Sequence, residues 1–87
     1  MQKLLVVVEK VLPYKILTKS TCIYCTRAKM LFNQKGIAFE EKLVTDSQML
    51  EYLKRQGHKT FPIIYDPKDN LIGGFLELAD YLHELET

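Results

Sequence analysis

Apolar and polar positions change period along this chain, and the changes mark out its elements. Residues 14–18, YKILT, form a short, partly β-branched apolar run, which predicts a buried strand. After the polar turn Lys19-Ser20-Thr21, the segment CTRAKMLFNQK reads as a helix. Cys25, Ala28 and Phe32 share one face of it, Leu31 lies beside them, and Gly36 supplies a stop. Residues 37–44, IAFEEKLV, alternate in part and predict a second strand. Thr45 or Asp46 caps the next helix, whose apolar stripe is Met49, Leu50 and Leu53 and which closes at Gly57. FPIIYD, 61–66, predicts a third strand; PKDN, 67–70, a tight reversal; and Leu71-Ile72 a short fourth strand. Beyond Gly73-Gly74, the residues Phe75, Leu78, Ala79, Leu82 and Leu85 recur at helical spacing.

The predicted order is β-α-β-α-β-β-α. Strands one and two, joined through a helix, should be parallel with a right-handed crossover. Strands three and four, joined by a tight turn, should be antiparallel. The natural packing is an α/β fold with a four-stranded mixed sheet flanked by helices. Residues 1–12 are additional to this pattern. Leu4, Val8, Val11 and Leu12 suit a helix face and Leu4-Val6-Val8 suits a strand; the face spacing favours helix. Eighty-seven residues make one domain, with a core over 14–85 and an N-terminal extension over 1–12.

Composition narrows the function classes. The apolar share of 47% and charged share of 26% exclude a disordered chain. No apolar run reaches the roughly 18 residues that cross a bilayer. LLVVV is short, is followed directly by Glu9 and Lys10, and lacks a small-residue cleavage pattern, so it does not read as a signal peptide. Two cysteines are too few for a disulfide-rich secreted scaffold, and a reducing cytoplasm is the expected compartment. The net charge of +1 hides an asymmetry: residues 1–36 carry seven Lys/Arg and one acid, residues 37–87 five Lys/Arg and ten acids. The basic residues are scattered, without the run that marks a nucleic-acid arm. A small anion near Lys19 and Arg27 fits this distribution better than DNA or RNA.

The chemistry concentrates in TKSTCIYCTRAK, residues 18–29, which holds both cysteines, Cys22 and Cys25. A passive disulfide across two residues closes a very short loop and constrains the unfolded chain little. A zinc site needs four ligands, and the two histidines, His58 and His83, are twenty-five residues apart. The redox reading fits the placement. A helix start offers free N–H groups and the positive end of the dipole, and Lys19 adds a cation. Such settings lower a cysteine pKa from about 8.5 to around 3.5–7.5. Cys22 would then be the ionised nucleophile. Cys25, one turn further in on the apolar face, would be the shielded resolving thiol.

Three motifs in order resemble those of the glutaredoxins, a dithiol branch of the thioredoxin fold: Lys19-Ser20-Thr21-Cys22-Ile23-Tyr24-Cys25, Thr60-Phe61-Pro62, and Gly73-Gly74-Phe75. The resemblance covers residues 14–85, and the absence of Trp separates the chain from ordinary thioredoxin. It implies reduction of protein disulfides and glutathione mixed disulfides, with glutathione as co-substrate and no metal. It also implies partners that are disulfide-bonded or glutathionylated proteins, acting on a monomer. By the same resemblance Lys19 meets a glutathione carboxylate and Tyr24 flanks the tripeptide. Pro62 is cis and, with Thr60, presents the Phe61 backbone to the cysteine unit. Gly73 and Gly74 admit the ligand closely, and the N–H groups of Leu76 and Glu77 receive the γ-glutamyl carboxylate. Arg55 or Gln56 reaches the glycine carboxylate.

Three residues depart from the family pattern. Ile23 stands where many dithiol members carry Pro, which is expected to alter the redox potential. Phe61 replaces a commoner Val and is expected to narrow the groove. Leu76 replaces a polar residue and weakens the γ-glutamyl subsite. Two other readings follow from these departures. One is a redoxin reduced by a thioredoxin reductase. The other is a carrier of a [2Fe–2S] cluster held by glutathione and the first cysteine of two subunits, as in relatives lacking the motif proline.

Overall fold

The computed structural model describes residues 12–86. The expected N-terminal helix over residues 1–12 lies, but for Leu12, outside that range. The elements are β1 (Tyr14–Thr18), α1 (Ile23–Gln34), β2 (Phe39–Leu43), α2 (Ser47–Arg55), β3 (Ile63–Tyr65), β4 (Leu71–Gly73) and α3 (Phe75–Glu86). They form one four-stranded sheet in the order β2-β1-β3-β4. β1 runs parallel to β2, with Ile16 opposite Glu41, and antiparallel to β3, with Ile16 opposite Ile64. β3 and β4 are antiparallel, with an irregularity at Ile64 and Tyr65. The predicted mixed α/β architecture is the one observed.

Strand alternation sorts the core into two layers. Ile16 and Ile64 face one side, where they join Ala28 and Phe32 of α1 and Leu78 and Leu82 of α3. Leu17 and Ile63 face the other side, with Val44 and Leu53 of α2. α1, which carries the cysteines, is therefore fixed from beneath by Phe32, itself stacked on Phe39 and tilted against Tyr14.

Helix ends follow local chemistry. Asp46, not Thr45, caps α2 by accepting the Gln48 amide at 3.1 Å. α1 and α2 both stop in Schellman motifs built on Gly36 (φ +68) and Gly57 (φ +94). The first motif corrects the expected start of the second strand. Ile37 closes the cap by donating to the Phe32 carbonyl, so the ladder begins at Phe39. The third strand is also shorter than expected. Phe61-Pro62 is a cis peptide, Pro62 has no N–H for a ladder, and β3 starts at Ile63. In the reversal between β3 and β4, Asp66 accepts the amides of Lys68 and Asn70, and these bonds hold its carboxyl below the usual range.

Candidate active site

β1 ends at Thr18, and the turn that follows brings Cys22 to the start of α1. Thr21 sits in left-handed backbone at φ +56, a conformation that costs a β-branched residue about 1–3 kcal/mol. Cys22 is extended and serves as the N-cap of α1. Its sulfur accepts the Cys25 amide at 3.2 Å and lies 3.7 Å from the Phe61 carbonyl oxygen. The first turn of α1 holds no acidic residue, so nothing on the helix offsets its positive end. Cys22 and Cys25 are joined as a disulfide with their Cα atoms 5.2 Å apart. Cys25 is 3% exposed, whereas Cys22 is only half-buried. The outer sulfur is thus open to attack and the inner one is shielded.

The other predicted residues divide into groups. Tyr24, Thr60, Phe61, Pro62, Gly74, Leu76 and Glu77 line a common groove of about 360 Å³. Phe75 joins them, which the sequence reading missed. Its helical spacing assigned it to the core stripe, and it does pack there, but its ring also meets Tyr24 at 6.0 Å. The Arg27 guanidinium lies 5.1 Å from the centre of the Tyr24 ring. The Phe61 amide has no hydrogen-bond partner among the described residues. The Phe61 ring packs on the Val44, Leu53 and Ile63 cluster, with the Lys19 ammonium 5.8 Å above it. Arg55 and Gln56 end α2 and line none of the clefts beside the cysteines. Of the three departures from the family pattern, Ile23 and Leu76 are 61% and 69% exposed and face solvent, whereas Phe61 is half-buried.

Glu77 has a second role that the sequence reading did not anticipate. Its carboxylate folds back to accept the Gly74 amide at 2.9 Å. This is half of a capping box, and the Gly74-x-x-Glu77 spacing was the signal for it. Gly73 makes room for it at φ +126, where an added Cβ would stand 2.8 Å from Glu77 Cγ. Gly73→Ala is therefore expected to cost about 1–3 kcal/mol through backbone strain alone. A thermal melt checks this, and an unchanged melting temperature would contradict it.

A cleft of about 500 Å³ also reaches both cysteines and is lined in addition by Lys19, Lys29 and Glu41. There the buried Thr18 hydroxyl donates to Glu41 at 2.7 Å, and the Lys29 ammonium pairs with the same carboxylate at 3.0 Å. The Thr18 bond first, then Lys29, lowers the Glu41 carboxyl below its ordinary value. A depressed carboxyl stabilises the fold above its unfolded pKa, and the contribution is lost as pH falls through the folded value. The pair is about a third exposed, so solvent screening holds the contribution to about 1 kcal/mol or less. Glu41→Gln should lower stability at pH 7, and the gap from wild type should close below pH 4. Denaturant melts across that range read the difference directly.

The glutaredoxin sequence profile matches residues 15–70. Glutaredoxin 3 of Escherichia coli is 42% identical over 75 residues, spanning 84% of each chain. A glutaredoxin of Pseudomonas aeruginosa is 36% identical over 76 residues, spanning 85% of this chain and 84% of its own. The crystal structure of glutaredoxin 1 from Francisella tularensis, complexed with cacodylate, superposes with a TM-score of 0.69 at 32% identity, covering 84% of this chain and 94% of that one. The disulfide at the head of α1, the sheet that carries it and these relatives agree: the chain belongs to the glutaredoxin family and is a dithiol oxidoreductase with the CxxC pair Cys22–Cys25 as its active site.

Proposed function

We propose that Cys22 is the attacking thiolate and Cys25 the resolving thiol of a glutathione-dependent cycle. The observation that carries this assignment is the Cys25 amide directed at the half-exposed Cys22 sulfur, at the uncompensated positive end of α1. In the first step the Cys22 thiolate attacks the glutathionyl sulfur of a mixed disulfide. A Cys22–glutathione bond forms, and the substrate leaves as a thiolate that takes a proton from water. A second glutathione thiolate then attacks the glutathionyl sulfur, releasing oxidised glutathione and restoring Cys22. On a protein disulfide, Cys22 forms the mixed disulfide and Cys25 displaces the substrate, leaving Cys22–Cys25 oxidised. Two glutathiones then return the electron pair.

Glutathione fits the groove beside Tyr24 in an extended form. Its cysteine unit pairs with the unpartnered Phe61 amide, as a strand added to an edge. The γ-glutamyl carboxylate meets the first-turn N–H groups of α3 at Leu76 and Glu77, with the Glu77 carboxylate near the γ-glutamyl ammonium. Lys19 receives the glycine carboxylate. Arg55 and Gln56 have no part in this arrangement.

Saturation kinetics with the mixed disulfide of glutathione and 2-mercaptoethanol test the proposal. Turnover should saturate in glutathione when coupled to glutathione reductase. Reduction of the Cys22–Cys25 disulfide by a thioredoxin reductase, with no turnover on glutathione, would replace this reading with that of a reductase-fed redoxin. No helix among the described residues is long and apolar enough to cross a membrane.

A further inference from the structure

A separate cleft of about 570 Å³ adjoins the active site and shares only Lys19 and Phe61 with the residues assigned to glutathione. Its walls include Leu50, Leu53 and Phe61, and Lys54 and Lys59 stand among its lining. Lys15, Lys29 and Lys35 are paired with Asp69, Glu41 and Glu86. Among the described residues no carboxylate lies within ion-pair distance of Lys54 or Lys59. Both are exposed, while Leu50 and Phe61 are only half-buried. The cleft therefore combines an apolar wall with unneutralised cations. It is also close to the chemistry: Phe61 forms part of it, and the carbonyl of that residue is 3.7 Å from Cys22 Sγ.

We propose that this cleft receives the protein portion of the substrate, as a segment with a large aliphatic side chain and neighbouring Asp or Glu beside its disulfide-linked cysteine. The aliphatic group would cover Leu50 and Phe61, and the carboxylates would face Lys54 and Lys59. A small inorganic anion would leave the apolar wall exposed, and a purely apolar segment would leave the two ammonium groups unanswered. Electrostatic complementarity of this kind selects among partners and speeds encounter, and salt weakens it. The inference rests on Cys22 as the attacking group. The electron bookkeeping is that of the cycle above.

Three glutathionylated peptides test it, identical except that the cysteine is flanked by Leu-Asp-Glu, Leu-Ser-Asn or Leu-Lys-Lys. The acidic peptide should exceed the basic one in kcat/KM by about tenfold or more at low salt, with the gap shrinking at high salt. In Lys54→Glu/Lys59→Glu the order should reverse, and turnover of the 2-mercaptoethanol mixed disulfide should stay within about twofold. Equal turnover of the peptides, or an acidic preference that survives the charge reversal, would overturn the proposal. Failure of wild type on the 2-mercaptoethanol mixed disulfide would reject the glutathione cycle instead. A second measurement holds in that case too. The acidic peptide with Ser in place of Cys should shift the backbone amide resonances of Leu50, Lys54 and Lys59, and unmoved resonances would overturn the docking site.

Discussion

Cys22→Ser is expected to abolish both reductions, with a loss on the order of a thousandfold or more, while Cys25→Ser separates them. The serine hydroxyl at position 22 would stay protonated at neutral pH and cannot carry the negative charge the helix end stabilises. Cys25→Ser keeps the outer sulfur, and its main-chain amide still points at Cys22. A second glutathione then completes the turnover of mixed disulfides, which should fall by no more than a few fold. Protein disulfides are different. Without a second thiol in the protein, the mixed disulfide between Cys22 and the substrate persists and can be trapped on a non-reducing gel. Equal losses on both substrate classes in Cys25→Ser would contradict the assigned roles.

Phe32→Ala is expected to produce the largest loss of stability, about 3–5 kcal/mol. Phe32 is fully buried, and its ring meets Phe39 at 5.0 Å and Tyr14 at 5.4 Å between α1 and the sheet. A domain of this size has of order 5–10 kcal/mol in total, so the variant should melt on the order of 20 °C lower or fail to hold its tertiary structure. The consequence reaches the site because α1 presents Cys22 through that same contact. Where the variant remains folded, its Cys22 should react more slowly. A drop under about 1 kcal/mol in a chemical melt would show that the ring is not the anchor of α1.

The parts of this molecule that depend on short-range pattern were legible from residues alone. The polar turn before Cys22, the Cys25-Ala28-Phe32 face and the glycines that stop α1 and α2 each act within one or two helical turns. The features that escaped depend on what meets across the fold. The short third strand follows from Pro62, which brings no N–H to the ladder, and an apolar run such as FPIIYD does not by itself mark where pairing begins. Phe75 reads as core by its spacing and only the folded chain brings Tyr24 against it. Thr18, Lys29 and Glu41 come from β1, α1 and β2, and nothing in their separations along the chain announces that they converge. Glu77 is a different case: the Gly74-x-x-Glu77 spacing by itself signals the return of its carboxylate to the Gly74 amide.

The claim on which the mechanism depends is that reduced Cys22 is a thiolate near neutral pH. The direct test is the rate of iodoacetamide alkylation of Cys22 in the reduced Cys25→Ser protein across pH 4–10, compared with a cysteine in an unstructured peptide. The account predicts a profile shifted well to the acid side of the peptide's, with a rate at pH 6 faster by roughly tenfold, the gain in thiolate fraction being partly offset by the lower nucleophilicity of a low-pKa thiolate. A profile that overlays the peptide's, with the same slow rate at pH 6, would contradict it.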